Sequence, residues 1–435
     1  MFKTKLEIKQ KNYSDKLKFF FSNRSVNINK DTSKKVEKII ENVRERGDSA
    51  VIEYTNKFDN RKLVNPSDFL FTKEHLKKSR ENLDTDLLEA MRFSFKRIIK
   101  FHKTYLGNKS ITLPNSEVTR RFRPLDEVAI YVPGGKASYI STVLMAAGPA
   151  RAAGVKKLIL TSPCPNNRFN PALLAAASIA GIEYVYSLGG AQAIAALALG
   201  TETISKVQKI VGPGNNYVTE AKRQLFGLVG IDSLSGPSEI VIIADETSNP
   251  CSIAFDLMAQ AEHDEFASSI LIASDIGIIN EVTKIIKKEI SKLSRSKIIS
   301  KSFSNNGALI EVENCFRAIE LANQIAPEHL HLVTKNAKKL VKSVKTAGMI
   351  LVGEDSANGL SDYVLGPSHI IPTGGTSRFS SSLCVEDFLL GFSYIELEVK
   401  GNEDEYNELL ETAILLAEAE GLTAHSQSLL LRKKN

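Results

Sequence analysis

The sequence predicts an α/β fold of two incomplete parallel-sheet domains, with a helical N-terminal segment and a small C-terminal tail domain. Three observations carry that expectation. Past residue 120, short β-branched runs alternate with Ala-rich helical stretches: EVAIYV, STVLMAAGPARAAG, KKLILTS, PALLAAASIAG and IEYVYSLG. Strands separated by helices of that length favour parallel pairing. The alternation starts afresh at Glu239 with EIVIIAD, and a chain of 435 residues exceeds the size at which a single core stops growing.

Taken in order, residues 31–110 read as helices. DTSKKVEKIIENVRERG has a Thr and Ser entry, an apolar stripe through Val36, Ile39, Ile40 and Val43, and Gly47 as a stop. After EIVIIAD come helix PCSIAFDLMAQAEHD, strand SSILIAS, a Lys-rich helix, ALIEV, another helix, HLHLV and GMILVG. Beyond about residue 385 lie one strand-like run, SYIELEV, and a helix NELLETAILLAEAEG that Gly421 is placed to end. The expected division is an N-terminal extension (1–30), a first α/β domain (31–130 with 240–385), a second (131–239) and a tail (386–435). So short a tail removes too little surface from water to bury its own apolar stripe, so it is expected to pack on something else, such as another subunit.

Composition narrows the function classes. With 43% apolar and 24% charged residues the chain reads as an ordinary soluble globular protein. The net charge of +6 comes from lysines spread along the sequence, densest in the first 40 residues and at the C-terminus. They form no basic stripe with interleaved aromatics, so no nucleic-acid partner is expected. Cys164, Cys251, Cys315 and Cys384 lie far apart, which excludes a CxxC pair and a disulfide framework and points to a reducing compartment. Charges interrupt MFKTKLEIKQKNYSDKLKFFF every few residues, unlike a signal peptide. No run approaches the roughly 20 apolar residues of a membrane span. A cytoplasmic location without membrane attachment is the expectation.

Several segments carry candidate chemistry. Gly212-Pro213-Gly214-Asn215-Asn216-Tyr217 follows an apolar run and precedes a helix, but Tyr217 stands where a GxGxxG fingerprint needs its third glycine. It reads either as a phosphate-binding turn or as a plain strand-to-helix turn. Val132-Pro133-Gly134-Gly135, Leu188-Gly189-Gly190-Ala191-Gln192 and Leu234-Ser235-Gly236-Pro237-Ser238-Glu239 also fall at strand ends, and such turns gathered at one edge make a cleft. On the helix after Asn249-Pro250, Ile253, Leu257 and Ala261 form the buried stripe. Asp256, Gln260 and His263 share another face, where an amide oxygen and an imidazole can meet one ion or simply face solvent. HExxH and paired Cys ligands are missing, so a metal site would be assembled from distant segments, with Asp362 and His425 as candidates. In Ala326-Pro327-Glu328-His329-Leu330-His331 a carboxylate adjoins an imidazole where a helix gives way to a strand. That suits acid–base work, or a capping Glu beside a satisfied His, and His331 shares the face of His329.

Together these segments resemble the histidinol dehydrogenase family over nearly the whole chain. The ordered series is YVPGGKASY, GGAQAIAALALGTE, GPGNNYVTEAKR, SGPSEIVIIAD, DLMAQAEHD, APEHL, SDYVLGPSHIIPT and AEGLTAH. The resemblance implies two Rossmann-like domains, one zinc ion per subunit held by Gln260, His263, Asp362 and His425, and NAD contacts at Tyr131, Gln192 and Asn215. On the division above, the first α/β domain would carry the zinc and catalytic residues and the second the NAD contacts. Substrate contacts would fall to Ser238, Gln260, His263, His329, Asp362, Glu420 and His425. It implies a homodimer whose tails lend His425 and Glu420 to the partner's site. The implied activity is the oxidation of L-histidinol through L-histidinaldehyde to L-histidine, the last step of histidine biosynthesis, with His329 as proton acceptor and Glu328 activating water.

Two departures from the family pattern, Ser361 where Gly is usual and His331 where an acidic or aliphatic residue is usual, touch none of these roles. The competing readings are a related zinc and NAD alcohol dehydrogenase acting on a sulfonated diol, a zinc hydrolase using Glu328 without a cofactor, and a non-catalytic binding protein. Glu420 and His425 favour histidinol over the diol, and NADH production would exclude the hydrolase.

Overall fold

The computed structural model describes residues 1–8, 12–22, 29–105, 116–134, 139–397 and 399–433. Fourteen strands run through the described residues. They are β1 (Thr4–Leu6), β2 (Leu70–Phe71), β3 (Ser116–Pro124), β4 (Glu127–Tyr131), β5 (Lys157–Thr161), β6 (Tyr184–Tyr186) and β7 (Lys209–Val211). There follow β8 (Gly230–Ile231), β9 (Glu239–Ala244), β10 (Ser268–Ala273), β11 (Ala308–Glu311), β12 (His329–Val333), β13 (Met349–Val352) and β14 (Leu389–Leu397).

Two six-stranded sheets form the body, as the alternation of strands and helices predicts. One has the order β1-β11-β10-β9-β12-β13, parallel throughout. Its strands alternate strictly between two cores. Val241, Ile243, Ile270 and Leu330 face the helix Cys315–Ile325, whereas Ile240, Ile242, Leu271 and Leu309 face the helices Pro250–Ala261 and Ile276–Glu289. The other has the order β2-β6-β5-β4-β7-β8, parallel except for β2. Because helices cover both faces, these strands read as continuous apolar runs. In each sheet the chain moves outward from a central strand and then returns to its other side, giving switch points between β9 and β12 and between β4 and β7.

Three expectations about domain division are corrected. Residues 31–103 do not belong with the sheet of β9. Val36, Ile39, Ile40 and Val43 of the helical span Lys30–Asp59 pack with Ala129, Ile194 and Val218 against the sheet of β4. The Ala-rich surface of helix Gly190–Leu199 admits that stripe closely, a match that sequence order does not reveal. The first 30 residues are not a mere extension, since β1 pairs with β11 as the sheet's edge strand. The tail does not begin at residue 386 alone, because β14 pairs antiparallel with β3, from far earlier in the chain, over the whole register Leu389↔Pro124 to Leu397↔Ser116.

The contacts divide the chain into Met1–Leu106 with Leu125–Phe388, which holds both six-stranded sheets, and a smaller unit, Gly107–Pro124 with Leu389–Asn435. The smaller unit contains the β3–β14 ribbon and the helices Glu403–Ala419 and Thr423–Leu430. Gly421, at φ +73°, ends the first of these helices as its place in the sequence predicts. Gly47 likewise breaks the span Lys30–Asp59, adopting φ +52° while the next N–H, of Asp48, donates to Glu202 Oε2 at 2.8 Å.

Candidate active site

The Glu328–His329 pair stands at the amino end of β12, beside the amino end of β9. It lies at the switch point but on the edge opposite to the carboxyl ends where ligands of open parallel sheets usually bind. Helix Cys315–Ile325 ends in Ala326 with a left-handed backbone, and Pro327 then turns the chain into the strand. Both side chains are buried and both are held by the backbone of Glu239. The Glu239 N–H donates to Glu328 Oε2 at 2.7 Å, and the Glu239 carbonyl lies 3.3 Å from His329 Nδ1. A carbonyl can only accept, so Nδ1 carries the proton in this contact and Nε2 keeps its lone pair. Nε2 is buried without a hydrogen-bond partner among the described residues, 3.8 Å from Asp362 Oδ1. Burial disfavours the imidazolium, but the carboxylates of Glu328 and Asp362 and the Glu239 carbonyl outweigh it and raise the His329 pKa above the usual histidine value.

Gln260 and His263 reach this edge for a topological reason: a helix returning from β9 to β10 ends beside the amino ends of the strands. Asn249 caps the start of helix Pro250–Ala261, accepting from the Cys251 N–H at 2.9 Å. Gln260, 2% exposed, is in its last turn, and His263 follows just beyond the helix with its ring stacked on Tyr139 at 6.4 Å between centroids. The expected shared face divides: Asp256 instead approaches His331 Nδ1 at 3.3 Å, while His331 Nε2 meets the Gly353 carbonyl at 2.9 Å. His331 is thus occupied away from the His329 ring nitrogens.

Asn358, which the sequence reading missed, ties Gln260 to Asp362. Its buried Nδ2 donates to Gln260 Oε1 at 3.1 Å and to Asp362 Oδ2 at 3.5 Å. The two oxygens converge on one donor, and an amide oxygen, a carboxylate and an imidazole are donors that zinc accepts. Gln260, His263 and Asp362 therefore suit an N/O metal site. Among the described residues no group of three His, Cys, Asp or Glu side chains is arranged to hold a metal. His425 and Glu420 belong to the smaller unit, where both are exposed. His369 also braces Asp362, its Nδ1 contacting the Asp362 carbonyl at 2.9 Å and its Nε2 the Thr142 hydroxyl at 3.2 Å. Ser238 is half-buried in the loop before β9, its carbonyl accepting from the Ser268 N–H at 2.9 Å.

The remaining candidates gather at the carboxyl edge of the other sheet. Tyr131 ends β4, Gln192 opens the helix after β6, and Asn215 caps the helix after β7. The Tyr131 hydroxyl accepts from the Gly190 N–H at 3.2 Å, and burial pushes its pKa up to about 12, so it stays protonated. Gln192 is 1% exposed, and its Oε1 is buried without a hydrogen-bond partner among the described residues. Asn215 Oδ1 accepts from the N–H groups of Tyr217 and Val218 at 3.0 and 3.2 Å. Turns around a switch point, with a buried amide oxygen that has no hydrogen-bond partner among the described residues beside one of them, suit a dinucleotide. Gly135 of the turn after β4 lies outside the described residues.

Comparison with known proteins decides the family. The chain matches the sequence model described as histidinol dehydrogenase over residues 22–433. This chain belongs to the histidinol dehydrogenase family. It is 45% identical over 409 residues to the histidinol dehydrogenase of Clostridium acetobutylicum, covering 93% of each chain. To that of Oceanobacillus iheyensis it is 46% identical over 411 residues, covering 94% of each. Its fold matches the crystal structure of histidinol dehydrogenase from Elizabethkingia anophelis with a TM-score of 0.91 at 31% identity, over 99% of this chain and 98% of that one.

Proposed function

We propose that this chain oxidises L-histidinol by four electrons, through L-histidinaldehyde, to L-histidine, as the last step of histidine biosynthesis. The observation that carries the reading is His329: Nδ1 is engaged by the Glu239 carbonyl, while the buried Nε2 has no hydrogen-bond partner among the described residues. Such a nitrogen is poised to take a proton from a bound hydroxyl.

In the first oxidation His329 Nε2 accepts the carbinol proton as the carbon gives up hydride. Glu328 then removes a proton from a water that adds to the aldehyde carbon, while the proton held on His329 passes to the carbonyl oxygen, so that the hydrate forms and His329 is neutral again. His329 takes a hydroxyl proton from the resulting hydrate as the second hydride leaves, and the acid remains. NAD, when bound, supplies the hydride acceptor for each oxidation, two molecules per histidinol, with Tyr131, Gln192 and Asn215 contacting it. Zinc, when bound by Gln260, His263, Asp362 and His425, supplies a positive template for the amino group and imidazole of the substrate. Ser238 and Glu420 complete the substrate contacts.

A homodimer with exchanged tails is part of the proposal, with His425 and Glu420 serving the partner's site. In its support, the smaller unit exposes Ile395, Leu409, Leu415 and Leu416 by 57–67%, an apolar surface that a second copy would cover. A cytoplasmic location is also part of the proposal, and four free cysteines support it. No helix among the described residues is long and apolar enough to cross a membrane.

The test is NADH absorbance with purified protein, zinc and histidinol, with a sulfonated diol in parallel. Two NADH per histidinol are expected, and little from the diol. A zinc-loaded dimer producing none from histidinol would overturn the reading.

A further inference from the structure

We infer that Lys222 and Asp232 are positioning residues for the cofactor turn Gly212–Asn215, fixing the peptide groups on both sides of its first residue; this rests on the reading of that turn as a dinucleotide site. The Gly212 N–H donates to Asp232 Oδ2 at 2.7 Å, and Lys222 Nζ donates to the Gly212 carbonyl at 3.0 Å. Lys222 Nζ is itself ion-paired with Asp232 Oδ1, the two side chains being 2% and 4% exposed. The three contacts close a ring around one glycine.

The ring ties together three elements on one side of the switch point. Gly212 follows β7, Lys222 lies on helix Asn216–Leu225, which Asn215 caps, and Asp232 follows β8. Gly212 sits at φ +112°, and a Cβ there would stand 2.1 Å from the Tyr131 carbonyl oxygen, on the neighbouring candidate contact. A glycine pressed against β4 has freedom to rotate its peptide planes, and the ion pair removes that freedom.

A buried ion pair makes a poor stabiliser, because the cost of desolvating both charges rivals their attraction, and well-packed apolar replacements are often neutral. What this pair delivers is direction. It orients the peptide leading into Pro213, Gly214 and Asn215, so that the turn meets a ligand already shaped, without an ordering cost on binding.

The double substitution Lys222→Met with Asp232→Leu tests this, since it removes both anchors without stranding a charge. NAD binding is measured by calorimetry on the full-length, zinc-loaded protein, with hydrogen exchange over residues 209–218 and steady-state kinetics alongside. The expected result is a melting temperature near that of the parent, a Kd and KM for NAD raised tenfold or more, faster exchange over 209–218, and kcat at saturating NAD and KM for histidinol both within twofold. A folded double variant with Kd for NAD within twofold of the parent overturns the inference and leaves the cofactor reading intact. A parent protein that does not bind NAD overturns both. If the double variant does not fold, the single Asp232→Asn decides. It keeps an oxygen for the Gly212 N–H but loses the charge that holds Lys222, and an unchanged Kd for NAD in that variant overturns the inference.

Discussion

The backbone carbonyl of Glu239 faces His329 Nδ1 at 3.3 Å, and that contact selects which ring nitrogen is left to work. Because Nδ1 must carry the proton, Nε2 is the base in the neutral ring. His329→Asn removes Nε2 while leaving a polar side chain near the carbonyl. General-base contributions run about 10²- to 10⁴-fold, so kcat is expected to fall by at least about 10²-fold while bound zinc, measured by atomic absorption, stays at parent level. A variant turning over within tenfold of the parent would remove the base assignment.

Glu328 should matter unequally to the two oxidations. Its Oε2 accepts from the Glu239 N–H at 2.7 Å and lies 3.6 Å from His329 Nδ1, so the carboxylate is fixed beside the proposed base. Glu328→Gln keeps an oxygen for the Glu239 N–H and loses the ability to take a proton from water. Oxidation of histidinol to the aldehyde is expected to stay within a few-fold of the parent, and oxidation of supplied histidinaldehyde to fall by about 10²-fold or more. Single-turnover measurements on each substrate separate the two. Equal losses in both would refute a water-activating role.

Asn358 spaces two proposed metal ligands, reaching Gln260 Oε1 at 3.1 Å and Asp362 Oδ2 at 3.5 Å. Outer partners of this kind typically change metal affinity by about 10- to 100-fold when removed. Asn358→Ala is therefore expected to weaken zinc binding by about tenfold in competition with a chromogenic chelator. Asn358→Asp should do worse, since it replaces a donor with a third acceptor beside Asp362. Unaltered zinc affinity in both variants would show that the two oxygens are placed by other contacts.

The central strands were legible because they are buried on both faces: EIVIIA, SSILIA and KLILT give unbroken apolar runs that only a covered parallel sheet explains. Strand β3 was not. Its sequence SEVTRRFRP carries Arg120, Arg121 and Arg123, and its partner β14 lies more than 260 residues away, so neither periodicity nor proximity announces it. The same limit applies at the site. The adjacency of Glu328 and His329 is printed in the sequence, whereas Glu239 and Asn358 acquire their parts only when β9 lies beside β12 and a distant helix closes over Gln260. Glu239 lies within the motif SGPSEIVIIAD, so a signal for it is present in the sequence. Asn358 had none, and Lys222 and Asp232 read as ordinary surface charges until folding buries them together.

Glu220 gives the fold an acid-sensitive joint. It is fully buried on helix Asn216–Leu225 and accepts from Arg223 Nε and Nη2, Gln224 Nε2 and the Ser33 hydroxyl, all at 2.7 Å, so it binds that helix to the span Lys30–Asp59. The Arg223 hydrogen bonds, helped by Gln224 and Ser33, outweigh burial and hold its carboxyl at about 2, against an ordinary value of 4.5. With the folded pKa below the unfolded one, the carboxylate stabilises the protein at full strength above about pH 4.5. That contribution is lost as pH falls towards 2, because the unfolded chain then binds more protons than the folded one. Since Arg223 is half-exposed, solvent screening reduces the contribution to roughly 1–3 kcal/mol. Glu220→Gln should therefore lower stability at pH 7 by about that amount in urea denaturation. The difference from the parent should shrink between pH 4.5 and the acid-unfolding limit. A difference that stayed constant across that window would mean the carboxylate is valued for its shape and not for its charge.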